Sequence, residues 1–438
     1  MAPDLAHMER IVRSVPRGTR AGVLTQVVGL LLECRGLPAA LGDLVSIVTD
    51  SGERLLAEVC GFREGATLLL PLGEADGLRP GARVEPLGRK TSAGCSEAML
   101  GRVLDALGKP IDGGPALVAD EEIPLMRPGP SPLERAPIDR PLPTGVSVLD
   151  SFLTLGRGQR MGIFAGSGVG KSTLLADIAK TTLSTVNVIA LVGERGREVG
   201  HFIEEALGKE GLARSVVIVA TSDSPALLRM KAAFTAAAVA EYFRDRGHDV
   251  MMMVDSVTRL AAAAREAGLA LGEPPTVKGY PPSFFALMPR LVERLGRTQK
   301  GSITGLFTVL VDGDDLNDPV ADTLRGLLDG HVVLSREIAQ RGMFPAVDVP
   351  KSVSRVMDKV VSTEHLTAAR AARSLISAFE ASRDLVAIGA YKSGTDVRTD
   401  RALAAWPAIE SLLRQEHGQP RTFEESLNLL EACVEEGA

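Results

Sequence analysis

An α/β fold is predicted: a small β-barrel, then a parallel sheet with helices on both faces, then a helical C-terminal region. Three observations predict it. Short apolar runs broken by Gly, Pro and Asp fill the first part of the chain, as in barrels of short strands. Near-continuous apolar runs alternate with helical stretches in the middle, the pattern of strands buried on both faces. Beyond about residue 360 only helical periodicity remains. These transitions divide the 438 residues into 1–20, 21–90, 91–360 and 361–438.

Each element follows in order. Leu5, Met8, Val12 and Val15 recur at helical spacing, with Glu9, Arg10 and Arg13 on other faces and Pro16 at the end. This predicts an amphipathic N-terminal helix that packs on the barrel or on a partner. The barrel strands are expected in "GVLTQVVGLLLEC", "LVSIVTD", "LLAEVCGF", "ATLLLPL" and "ARVEPLG". "IPLMRPGPSPLERAPIDRPLP", residues 123–143, is too rich in proline for regular structure and reads as an ordered connection into the next domain. Sheet strands are expected at "RMGIF", 187–193, 215–221, 249–255 and 302–311, and helices at 363–388, 399–416 and 422–436. The last begins at Thr422 with Glu425 three residues on, a capping-box signature.

Composition narrows the function classes. With 45% hydrophobic and 24% charged residues the chain is ordinary globular protein. A formal charge of −6 argues against a chain that coats nucleic acid. Cys34, Cys60, Cys95 and Cys433 show neither CxxC nor Cys/His spacing, so neither zinc nor a disulfide framework is implied. No window reaches the roughly 18 apolar residues of a membrane span, and residues 1–20 lack a signal-peptide core. The expectation is a cytoplasmic protein, with docking on a membrane complex left open.

The chemistry begins at "FAGSGVGKSTL", residues 164–174. It matches the phosphate-loop pattern GxxxxGK[ST], with Ala165 in place of the first glycine, between an expected strand and an expected helix. Gly166, Gly168 and Gly170 let backbone N–H groups turn toward phosphate oxygens, and Ser167, Val169 and Thr173 complete the loop. Lys171 is expected on the outer phosphates and the Ser172 hydroxyl on Mg²⁺. The run "DVMMMVD" ends in Asp255, a carboxylate placed to hold a Mg²⁺-bound water, as in a Walker B element. In "VGERGREV", Glu194 and Glu198 follow the 187–193 strand. If that strand adjoins the phosphate-loop strand, Glu194 faces the γ-phosphate and can polarise an attacking water. On spacing alone, a charged surface turn is the equal alternative.

Several longer segments then add to this reading. "GERGREV", "VDSVTRLAAAAREAGLALGEPPTVKGYPPSFF", "PRLVERLG", "VDGDDLNDPVADTLRGLLDGHVVLSREIAQRGMFPAVDVPKSVSRVM" and "AYKSGTD" extend from about 95 to 400 together with the phosphate loop. In them the chain resembles the hexameric ATPases of type III protein export, flagellar and injectisome alike, which are related to the catalytic subunit of rotary ATP synthases. The resemblance implies a RecA-like P-loop ATPase core. It also implies an ATP hydrolase that works as a ring, releasing chaperones and promoting the unfolding and entry of export substrates.

Carried over by residue, Glu194 becomes the water-activating base. Lys171 and Ser172 serve the phosphates and Mg²⁺, Asp255 the Mg²⁺ shell, and Arg195, Glu198 and Arg259 support them. Glu198 is also expected near the metal. Phe344 in "FPAVD" stands against the adenine. Leu412 in "IESLLRQ" occupies a place usually aromatic, so half of the base stacking is in question. Arg355 in "SVSRVM" is the expected arginine finger, reaching the neighbouring subunit's γ-phosphate.

"GEPPTVKGYPP" and "DGDDLNDP" match pore-lining loops, the second offering Asp314, Asp315 and Asp318 to a basic central stalk. The implied partners are a homo-hexamer, a stator-like regulator at the N-terminus, a coiled-coil stalk, the export gate at the inner membrane, and chaperone–substrate complexes. The alternatives are a rotary synthase subunit or a hexameric nucleic-acid translocase. The acidic charge and the scarcity of aromatics, three Tyr and one Trp, speak against the translocase.

Overall fold

The computed structural model describes residues 20–311, 315 and 317–437. The predicted N-terminal stripe of Leu5, Met8, Val12 and Val15 lies outside the described residues, as does Asp314. The chain forms two compact units. The first ends at Thr91 and takes in Ala270–Gly272. The second holds Ser92–Leu269 and everything from Glu273 onward.

The first unit contains a closed six-stranded barrel in the order β1-β2-β5-β4-β3-β6. Its strands are β1 (Gly22–Val28), β2 (Leu31–Arg35), β3 (Asp43–Val48), β4 (Arg54–Arg63), β5 (Ala66–Pro71) and β6 (Arg83–Lys90). The single apolar run predicted from Gly22 to Cys34 is a hairpin: Val28 pairs Leu31 across a tight turn in which Gly29 adopts φ +56. Glycine takes that left-handed backbone without steric cost. Leu24, Leu32, Val45, Ile47, Val59, Leu69 and Val84 fill the interior, because alternate residues along each strand point inward.

The second unit is built on a nine-stranded sheet. Its main strands are β8 (Val103–Asp105), β10 (Arg160–Ala165), β11 (Val186–Val192), β12 (Ser215–Ala220), β13 (Asp249–Asp255), β15 (Ser302–Leu310) and β16 (Gly330–Leu334). They run parallel in the order β16-β10-β15-β13-β11-β12-β8. β14 (Gly296–Arg297) and β17 (Val353–Ser354) add antiparallel edges on β15 and β16, and β7 (Ser92–Cys95) pairs separately with β9 (Glu121–Pro124).

Alternation feeds two cores, one on each sheet face. Val188, Ala190, Met252, Val254 and Phe307 enter one; Ile189, Leu191, Met251, Met253 and Leu306 enter the other. Hence the strand sequences read as continuously apolar.

The proline-rich connection, predicted to lack regular structure, carries some at two places: its first residues complete β9, and Pro132–Glu134 form a single 3-10 turn. Arg135 reaches from it to the Leu295 carbonyl at 2.9 Å. C-terminal helices span Thr363–Ala387, Val397–Leu413 and Phe423–Glu436, the last capped by Thr422 and Glu425. They share a core with one sheet face through Ala372, Ile376, Ala405, Ile409 and Leu430. Among the described residues no helix is long and apolar enough to cross a membrane.

Candidate active site

The glycine-rich loop leaves the carboxyl end of β10 and runs into the helix Lys171–Thr181. Gly168 and Gly170 take φ +77 and +87, a conformation costly for any residue with a Cβ. The backbone therefore curls into a cradle, and the positive end of the helix dipole closes it. Lys171 Nζ is paired with Asp255 Oδ1 across the head of the sheet. The phosphate-loop lysine and the carboxylate of β13 are thus brought together.

β11 is not beside β10; β15 and β13 lie between them. The premise that placed Glu194 next to the phosphate-loop strand is corrected on this point. Glu194 nonetheless arrives at the site. Gly193 turns the chain with φ +70, packed so closely on Arg259 that a Cβ would stand 2.7 Å from the arginine's own Cβ. Glu194 then lines a cavity of about 70 Å³ with Ser172, Glu198 and Asp255, closed on its other side by Leu191, Val199 and Phe202.

Burial first, and then the charge of Asp255, push the Glu194 carboxyl up to about 7, while Lys171 and Arg259 pull the other way. Its Oε1 is buried and has no hydrogen-bond partner. A buried polar atom without a partner is costly, and it belongs to a side chain that lines the cavity shared with Ser172 and Asp255. A carboxyl poised near neutral pH, hydrogen-bonded to Glu198 and with Oε1 left without a partner, is suited to accept a proton.

The other predicted residues divide. Glu198 borders the same cavity. Arg195 does not; its side chain is 72% exposed and pairs with Glu198 at 3.7 Å. Arg355 lies at the opposite end of the sheet. β17 pairs Ser354 with Gly330, beside the start of β10, and the Arg355 guanidinium donates to the Leu328 and Arg325 carbonyls at 3.3 and 3.2 Å. Asp315 and Asp318 face Lys278 of the other predicted loop at 3.5 and 3.7 Å. Asp318 also caps the helix Pro319–Leu327 by accepting from the Val320 N–H.

A second cavity, about 490 Å³, opens beside the phosphate loop. Gly170, Thr173 and Phe344 line it, with Arg414, Gln415, Glu416 and His417 on a further wall. Phe344 is 43% exposed and lies against Gly170, whose added Cβ would meet its ring at 3.5 Å. Leu412 does not line this slot. It is wholly buried in the core, because the helix ends at Leu413 and Arg414 turns extended, so the residues after the helix form the wall.

Gln415 locks that wall: its amide N–H donates to the Phe344 carbonyl at 2.9 Å, and its side chain accepts from Ser147 N–H at 2.8 Å. His417 Nδ1 stands 2.7 Å from Asp177 on the phosphate-loop helix. Sequence reading missed Gln415 and His417, although Gln415 closes the quoted "IESLLRQ". It also gave Thr308 no role, because Ser302 and Thr304 stand in the same run and nothing local singles Thr308 out.

The donor set fits Mg²⁺. A serine hydroxyl and carboxylates are hard oxygen donors, and Mg²⁺ is ordinarily held by one or two side chains together with substrate phosphates. Glu194, whose Oε1 is buried and unpartnered, lines the same cavity. No set of three or more His, Cys, Asp or Glu side chains among the described residues forms an all-protein cage, and Mg²⁺ does not require one.

Comparison with known proteins covers nearly the whole chain. Residues 145–354 match the nucleotide-binding domain of the ATP synthase alpha/beta family, and 24–88 match its beta-barrel domain. Residues 361–432 match the C-terminal domain of the type III secretion ATPase EscN. The flagellum-specific ATP synthase of Bacillus subtilis is 52% identical over 418 residues, 94% of each chain. The type 3 secretion system ATPase of Xanthomonas euvesicatoria is 47% identical over 98% of this chain and 97% of its own. Assembled EscN from enteropathogenic E. coli superposes with TM-score 0.90 at 42% identity, over 94% of this chain and all of that one. EscN in complex with its central stalk EscO gives TM-score 0.87 over the same share.

Proposed function

The chain belongs to the family of flagellum-specific and type III secretion ATPases, and from that premise we propose how it works and what its hydrolysis drives. It is an ATP hydrolase, converting ATP and water to ADP and phosphate. The proposal is that it does so as a homo-hexameric ring that releases chaperones and promotes unfolding and entry of export substrates. The likeness to assembled EscN supports the ring, and the complex of EscN with its central stalk EscO supports a stalk partner, which is proposed to be a coiled coil. A regulator at the N-terminus, the export gate and chaperone–substrate complexes complete the proposed set, with the protein peripheral to the inner membrane from the cytoplasm.

In the proposed reaction the cradle of Gly166–Thr173 and Lys171 hold the β- and γ-phosphates. Phe344 stacks on the base from one side of the slot. Ser172, Asp255 and Glu198 would hold Mg²⁺, which supplies neutralisation of charge on the phosphate oxygens. Glu194 orients the attacking water and accepts its proton. Arg355 of a neighbouring subunit neutralises charge developing on the transferred phosphoryl group. Arg195, exposed and paired with Glu198, tunes that carboxylate and the turn that carries it.

The observation that carries this reading is Glu194 itself, which lines the cavity that Ser172 and Asp255 share and whose Oε1 is buried and unpartnered. Glu194→Gln tests it. The variant should bind ATP as the wild type does and lose at least ~10²-fold in kcat, since a positioned base contributes about 10²–10⁴. Turnover at the wild-type level would overturn the assignment.

A further inference from the structure

Asp255 is almost wholly buried at the carboxyl end of β13. A buried carboxylate needs donors to keep its charge and its orientation. Its Oδ1 has two: Lys171 Nζ and the hydroxyl of Thr308, the latter at 2.7 Å. Lys171 has a second task in the proposed reaction, because it turns to the phosphates. Thr308 has none.

The topology explains the pairing. β15 is inserted between the strand that carries the phosphate loop and the strand that carries Asp255. Thr308 stands in register with Ile163 on one side, and its neighbour Phe307 with Val254 on the other. The residue is 0% exposed and flanked in sequence by the apolar Phe307 and Val309. A hydroxyl has one proton to give. The Val254 carbonyl lies at 3.3 Å, so the shorter, charge-assisted contact to Asp255 is the one that uses it.

We propose that Thr308 is a positioning residue for the hydrolytic reaction: its hydroxyl holds the Asp255 carboxylate in the orientation from which it engages a nucleotide-bound divalent cation. Thr308 acts through Asp255 and touches neither nucleotide nor metal itself. This rests on the assignment of Asp255 to the Mg²⁺ shell, and the experiment separates the two.

ADP binding is measured by calorimetry in EDTA and again in MgCl₂, and the ratio of the two Kd values reports the metal's contribution. Thr308→Val should lower that ratio by roughly tenfold to hundredfold, the range expected for losing a hydrogen bond to a charged group. Affinity in EDTA should stay near wild type, the melting temperature should fall by no more than the few degrees that one lost hydrogen bond costs, and Thr308→Ser should restore most of the ratio. In ATP turnover, kcat at saturating MgATP should fall with the ratio. A Thr308→Val ratio equal to wild type overturns the proposal, and so does an equal loss in EDTA, which would mark a packing role. Asp255→Asn is the control: if it too leaves the ratio intact, the metal assignment itself falls. If Asp255→Asn abolishes the ratio while Thr308→Val does not, only the role of Thr308 is lost.

Discussion

Arg355→Ala removes a side chain whose intrachain partners are two backbone carbonyls, of Leu328 and Arg325, at 3.3 and 3.2 Å. Arg355 is exposed, so each lost contact is worth at most about 1 kcal/mol to the fold. The effect on turnover should be far larger. An arginine finger contributes roughly 10³–10⁵ in rate, or about 4–7 kcal/mol of transition-state stabilisation. The residue stands at the amino end of the parallel sheet while the phosphate loop leaves the carboxyl end. That separation from its own phosphate loop is why the proposed contribution goes to a neighbour's site.

The expected result is near-normal ATP affinity with almost no hydrolysis, and a wild-type specific activity that rises steeply with protein concentration. The assay mixes Arg355→Ala with Lys171→Ala, each inactive alone. In randomly mixed rings at equal amounts, about a quarter of interfaces pair an intact loop with an intact finger, so partial activity should return. A dead mixture in which mixed oligomers demonstrably form would refute the reasoning, and so would full activity of dilute monomer.

Two further expectations concern the scaffold. Arg294 and Glu241 are 0% exposed and joined by two hydrogen bonds of 2.9 and 2.6 Å; Arg294→Met should cost about 3–5 kcal/mol in urea unfolding, because it leaves a buried carboxylate with only Arg127, and a loss under about 1 kcal/mol would contradict this. His365 is buried, with Nε2 at 2.8 Å from the Ser151 carbonyl, and burial lowers its pKa from 6.5. A histidine with a depressed folded-state pKa contributes stability that is present above about 6.5 and lost as pH falls through the folded value. Wild type should therefore lose more melting temperature than His365→Asn between pH 7.5 and roughly one to two units lower, and parallel curves would refute it.

Much of the site was legible because its signals are local. "GSGVGKS" specifies its own backbone: Gly168 and Gly170 occupy left-handed conformations that favour glycine. The apolar runs at 187–193, 215–221, 249–255 and 302–311 announced β11, β12, β13 and β15, since burial on both faces leaves no polar period. Asp255 was legible as the last residue of one such run and Glu194 as the residue just past another. Those features follow from the chemistry of a few consecutive residues.

Contacts between distant segments were decided by the tertiary structure. An apolar strand declares that it is buried, not which strands flank it. The sequence alone therefore did not show β15 and β13 standing between β10 and β11, nor Thr308 meeting Asp255. Leu412 and Leu413 are both apolar residues at a helix end, and only the stop at Leu413 turned the first into core and handed the slot to Gln415 and His417. Helical periodicity likewise marked the C-terminal stripes but not their partner, which is a face of the sheet. Pairings of this kind depend on how far-separated surfaces fill one another's volume. That volume exists only once the chain has folded.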